Sequence, residues 1–195
     1  MNMSWEDHQK WEEDWHKHNN NCANSYNEET KQYKYAEKMG LNQYLRNWYG
    51  AKSWDFGDKT VLDVGAGPYS ILLKSKAKRM VALDPADYPN WCMVRYQECN
   101  VEFIKQKAEE MEFAEPFDII LCYNVLQHVD SPEEIVKRMK KYGKLIYFFD
   151  WIGVGNTPGH PHILEEKKLN EWFGGVGKAE GTAYYGIFPT PLYTP

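Results

Sequence analysis

Apolar residues fall into two regimes along this chain. Up to about position 58 they recur at helical spacing among charged and polar residues, and from Lys59 onward they gather into short continuous runs. Ser4 heads a segment carrying Trp5, Trp11 and Trp15. Ser25 and Glu28, an S-x-x-E pair, head another in which Gln32, Tyr35, Ala36 and Met39 share one face before Gly40. Both segments read as capped helices, because a short oxygen-bearing side chain satisfies amides that a first helical turn leaves unpaired. The polar stretch NNNCANSYN between them reads as a joint, and the three tryptophans as glue against a core rather than as ligand contacts.

The second regime predicts strands at TVLDVG (60–65), RMVALDP (79–85), VEFIKQ (101–106), FDIILCYN (117–124), GKLIYFFDW (143–151) and AYYGIF (183–188). Most of these runs are apolar nearly throughout, as strands covered on both faces of a parallel sheet must be. Helices alternate with them. Ser131, Pro132 and Glu134 supply an N-cap, an N1 proline and a capping box before Ile135, Val136 and Met139, and EEKKLNEWF predicts one more. The chain's last stretch suits a hairpin turning near Gly181. The expected fold is α/β: a doubly wound, mostly parallel seven-stranded sheet with an antiparallel C-terminal hairpin and ligands at the strands' carboxyl ends.

With 195 residues, 43% hydrophobic, the chain has apolar material for one well-buried domain. The expected organisation is a helical cap over residues 1–58 on a core of residues 59–195. A net charge of -5 disfavours nucleic acid, and the cluster Lys137, Lys140, Lys141 and Lys144 reads as a solvated helix face and helix end. No apolar run is long enough to cross a membrane, and the polar N-terminus is unlike a secretory leader, so a cytoplasmic location is expected. Cys22, Cys92, Cys99 and Cys122 form no C-x-x-C pair, which predicts reduced thiols and no metal site.

The candidate chemistry begins at Gly65 and Gly67, where an apolar strand ends in Asp63 and turns sharply, in the manner of a strand handing over to a helix above a ligand. A dinucleotide fingerprint needs a third glycine where this chain has Ser70, and Pro68 removes an amide from the place where a pyrophosphate would sit. No G-K-[ST] follows, which excludes a nucleoside triphosphate loop of that type. Asp84, at the next strand's tip, has the position to accept hydrogen bonds from a ribose diol, or to serve the turn with Pro85. AEEMEF (108–113) follows the third strand and CYNVLQHVDSPEE follows from the fourth. Asp63 can alternatively hold its own loop, and Asn124 can form the turn at its strand tip.

In this order the motifs resemble the class I S-adenosylmethionine-dependent methyltransferases, particularly their small type 11-like group. The resemblance runs from about Lys59 onward. It implies a Rossmann-like fold and S-adenosyl-L-methionine as cofactor, with S-adenosyl-L-homocysteine as product. Asp63, Gly65, Ala66 and Gly67 then border the methionine moiety. Asp84 and Pro85 meet the ribose, Ala108 with Glu109 or Glu110 the adenine, and Asn124 the cofactor's inner edge. Lys107 stands where many relatives carry an acid, and Gln127 where they carry the glutamate of "LEH".

Methyl transfer from a sulfonium is a direct displacement, so a base is needed only for a protonated acceptor. The candidates are His128, beside the fourth strand, and His160 and His162, in the long segment after the fifth. The implied acceptor is a small molecule or a sugar-like metabolite, with the N-terminal helices as a lid. The alternatives are an inactive cofactor-binding module, a nucleic-acid or protein methyltransferase, and an NAD-dependent oxidoreductase.

Overall fold

The computed structural model describes residues 4–18, 26–155, 157 and 159–194. Two helices come first, α1 (Trp5–His18) and α2 (Tyr26–Lys38). Ser4 caps α1 reciprocally: its hydroxyl accepts the Asp7 amide at 3.2 Å, and the Asp7 carboxylate accepts the Ser4 amide at 2.9 Å. The joint and Ser25 lie outside the described residues, as does the side chain of Glu28. Gly40 ends the second helical segment in a left-handed conformation, φ 84°.

A hairpin, β1 (Leu45–Trp48) and β2 (Ala51–Asp55), follows within the stretch expected to be a helical cap. Its two-residue turn places Tyr49 at φ 50° and Gly50 at φ 85°, the paired left-handed backbone that matches the twist of antiparallel strands. The remaining elements are β3 (Thr60–Val64), β4 (Ser75–Lys76), β5 (Arg79–Leu83), α3 (Asn90–Glu98), β6 (Glu102–Ile104), β7 (Phe117–Tyr123), α4 (Pro132–Tyr142), β8 (Gly143–Trp151), α5 (Glu166–Phe173), β9 (Lys178–Glu180) and β10 (Ala183–Pro189).

Seven strands form the main sheet in the order β6-β5-β3-β7-β8-β10-β9. All neighbours pair in parallel except β10, which runs antiparallel to both β8 and β9 across the turn at Gly181. From β3 the chain winds outward through β5 to β6, then returns to β7 on the other side. That reversal opens a crevice at the carboxyl end of β3.

Alternation along each strand divides the core in two. Val61, Ile119, Leu121 and Phe149 face a layer that includes Ala36 of α2, Met39 just after it, and Cys92 and Tyr96 of α3. Leu62, Val64, Ile120 and Phe148 face Ile135, Val136 and Met139 of α4 with Leu169 and Phe173 of α5. Among the described residues no helix is long and apolar enough to cross a membrane.

Two local expectations are corrected. The glycine turn hands over to a single 3-10 turn, Ile71–Lys74, and then to β4, which pairs with β2. Pro68 withholds an amide and Ser70 is extended (φ -82°, ψ 149°), so helical backbone starts only after Ser70 and stops at Ser75. The capping box of α4 does not form either. Ser131 makes no side-chain cap bond and Glu134 pairs with Arg138 instead. The acid at this helix start comes from elsewhere: Glu109 accepts the amides of Asp130 and Ser131 at 3.1 and 3.2 Å.

Candidate functional site

The crevice at the end of β3 holds a cavity of about 370 Å³, within the range of small-molecule sites. Its floor is the turn Gly65–Pro68, fastened at three points. The amides of Gly65 and Ala66 donate to the Leu83 carbonyl at 2.8 and 3.2 Å, the Gly67 amide donates to Asp84 Oδ2 at 2.9 Å, and the Tyr96 hydroxyl donates to the Gly67 carbonyl at 2.8 Å. Both glycines are left-handed, at φ 69° and 62°. At Gly65 a Cβ would stand 2.5 Å from Val125, whereas at Gly67 it would meet nothing within 4 Å and would occupy open space. The first glycine allows close packing and the second keeps the floor clear.

Asp84, Pro85 and Tyr88 form one wall. The Asp84 carboxylate is 7% exposed, and its Oδ1 accepts from the Ala86 amide and the Tyr88 hydroxyl, each at 3.0 Å. These bonds aim the carboxylate as well as the loop after β5. Opposite stand Tyr123, Asn124 and Val125 at the tip of β7. Asn124 is left-handed at φ 59°, uncommon for a residue with a Cβ, and its amide donates to the Phe149 carbonyl at 2.8 Å. Buried Asp150 holds the next turn by accepting the amides of Val125, Leu126 and Trp151 at 3.2, 2.8 and 2.8 Å. Burial pushes its carboxyl up to about 6, against those amides and nearby His128, which pull it down.

Asp63 does not line the cavity. It is fully buried beneath the floor, where Oδ2 accepts from the hydroxyls of Ser70 at 2.5 Å and Tyr123 at 2.8 Å. Burial raises its carboxyl to about 7, opposed by those two hydrogen bonds. Nor do Ala108, Glu109 and Glu110 line it: Ala108 is buried in the α4-side core, Glu109 holds the start of α4 and Glu110 is exposed.

Of the three histidines, His128 and His160 line the cavity with ring centroids 4.6 Å apart. The Gly159 carbonyl lies 2.6 Å from His128 Nδ1, which must therefore carry the proton, and Gln127 Nε2 stands 3.3 Å from His128 Nε2. His162 donates from Nε2 to the Val129 carbonyl at 2.6 Å and does not line the cavity. The two loops thus exchange bonds, one imidazole from each reaching a carbonyl of the other.

The roof comes from the N-terminal helices through Trp11, Lys31, Gln32 and Tyr35. Tyr35 stacks on Phe149 at 4.6 Å, and the Asp87 amide donates to Glu13 at 3.4 Å, which ties α1 to the Asp84 wall. Trp11, 37% exposed, thus serves the cavity rather than the core. The face shared by Gln32 and Tyr35 was readable from helical spacing, but its direction was not. Among the described residues no cluster of His, Cys, Asp and Glu has the arrangement to hold a metal ion.

Residues 62–144 match a family model described as a methyltransferase domain. Among curated proteins, the chain is 30% identical over 106 residues to a ubiquinone biosynthesis O-methyltransferase of Acinetobacter baylyi, covering 50% of this chain and 44% of that protein. It is also 30% identical over 119 residues to the protein of the same name in Pseudomonas fluorescens, covering 55% and 50%. The chain spans about half the length of the curated relatives it matches. Among solved structures, the DhpI complex with S-adenosylhomocysteine superposes with a TM-score of 0.67 at 15% identity, covering 96% of this chain and 97% of that one. The N-methyltransferase NodS of Bradyrhizobium japonicum, also bound to S-adenosylhomocysteine, superposes at 0.59 with 13% identity, covering 88% and 91%.

Proposed function

We propose that this chain, whose centre is a class I S-adenosylmethionine-dependent methyltransferase domain, transfers the methyl group of S-adenosyl-L-methionine to a small-molecule acceptor. The observation that carries this reading is the bond between Gly67 and Asp84. It fixes the Cβ-free position of Gly67 and the Asp84 carboxylate as adjacent surfaces of one cavity. Those groups fit an adenosyl cofactor: Asp84 faces hydroxyl donors, Gly65–Gly67 leaves room for a close tail, and Asn124 and Val125 border the far side.

When bound, the cofactor supplies an activated methyl on a sulfonium that carries its own leaving group. The chain's residues then have to position the acceptor and exclude water. Trp11 and Tyr35 roof the cavity, and Tyr123, His128 and His160 wall it. Such ring surfaces suit a flat face, of a sugar ring or an aromatic, better than a charged polymer. The rings of His128 and His160 are the imidazoles that line the cavity. The Nε2 of His128 can take a proton only by giving up Gln127. His162 acts as a clasp.

The engagement of both His128 nitrogens favours one alternative, a module that binds the cofactor without turnover. Incubating the protein with methyl-labelled donor and a metabolite extract separates the two: a labelled product identified by mass spectrometry supports transfer, and cofactor binding with no product supports the module.

A further inference from the structure

A bound S-adenosylmethionine carries a carboxylate at the end of its methionine moiety, and in a partly desolvated cavity that charge needs a partner. Among the described lining residues there is one carboxylate, Asp84, and one cation of fixed charge, Lys31. They belong to opposite ends. Asp84 directly follows β5, on one side of β3, where Glu13 of α1 reaches the nearby Asp87 amide. Helix α2 covers the other side, with Tyr35 against Phe149 of β8 at 4.6 Å and Tyr123 of β7 at 6.1 Å. Lys31 lies one helical turn before Tyr35, on the same face. A nucleoside held at Asp84 must run its tail across the glycine turn toward β7, beneath α2.

We propose that Lys31 binds the methionine carboxylate of the cofactor, making α2 part of the cofactor site as well as its cover. The inference rests on the function proposed above. It gives the charge pattern a purpose: the acid lies at the diol end and the ammonium at the acid end of a ligand carrying both groups. Because Lys31 is exposed on a helix surface, its replacement by methionine, a good helix former, leaves the fold intact.

The test is isothermal calorimetry on wild type, Lys31→Met and Lys31→Arg with two ligands, S-adenosylhomocysteine and its decarboxylated analogue, which lacks only the carboxylate. Lys31→Met is expected to weaken S-adenosylhomocysteine about tenfold, the worth of one charge-assisted contact, and to leave the analogue within about twofold. Lys31→Arg is expected to recover most of the loss. Equal weakening of both ligands, or of neither, overturns the assignment while leaving the cofactor reading intact. Failure of the wild type to bind either ligand overturns both.

Discussion

The Ser70 hydroxyl donates to the buried carboxylate of Asp63 at 2.5 Å while accepting the Leu72 amide at 3.0 Å. Ser70 occupies the place of the third glycine in a dinucleotide fingerprint, and the structure gives the substitution a purpose: it partners an acid that solvent does not reach. Ser70→Gly therefore does not recreate a dinucleotide site. It is expected to cost about 1–3 kcal/mol in urea denaturation, the penalty for leaving a buried acceptor short of a donor, and to confer no thermal shift with NAD.

Asp63 also sets a pH dependence. Its carboxyl stands at about 7 when folded, against 3.8 for the free side chain, and Asp150 stands at about 6. Each acid holds its proton more tightly folded than unfolded, so its contribution to stability is present at low pH and is lost as pH rises toward the folded value. For Asp63 the whole swing is on the order of 4 kcal/mol. Unfolding free energies measured at pH 5 and pH 8 should show the wild type losing more stability across that interval than Asp63→Asn, whose side chain stays neutral. Parallel losses would refute the assignment.

The strands β3, β5, β6, β7, β8 and β10 were legible because sheet burial leaves most of them a continuous apolar signature, whereas the two polar residues of β4 carry none. The β1–β2 hairpin was harder. Leu45, Trp48 and Trp54 are separated by charged and polar residues, and the one usable signal was the Tyr49-Gly50 turn. The glycine turn, Asp84 and Asn124 were found at the cavity because each sits at a strand tip, where sequence order fixes position. Asp63 and Glu109 illustrate what spacing cannot supply. Asp63 lies at a strand end but on the inward face, and Glu109 reaches helix α4 from a separate loop. Trp11 and Lys31 required knowing how two helices fold back over the sheet.

The two glycines of the turn should separate stability from binding. Gly65→Ala sets a Cβ 2.5 Å from Val125 at a positive φ, and is expected to destabilise the protein by about 3 kcal/mol or more. Gly67→Ala meets no neighbour and bears only the cost of its left-handed backbone, about 1 kcal/mol. Its methyl group enters the floor of the cavity, so its S-adenosylhomocysteine affinity should fall severalfold while a melting curve shows a modest shift.

The reciprocal histidine bonds should govern the loop after β8. Removing the imidazole in His128→Ala frees the Gly159 carbonyl and leaves His162 to Val129 as the remaining clasp. Hydrogen exchange across residues 152–165 is expected to accelerate in that variant, with exchange in the β3 and β7 amides unchanged. Uniform acceleration would mean that the histidine supports the whole fold instead.

The most direct measurement is calorimetric titration of S-adenosylhomocysteine into wild type and Asp84→Asn, with circular dichroism to confirm that both are folded. A saturable 1:1 binding isotherm for wild type, weakened about tenfold or more by neutralising the carboxylate, is the predicted result. No binding to the wild type, or equal affinity in the two proteins, would contradict a cofactor held between Gly67 and Asp84.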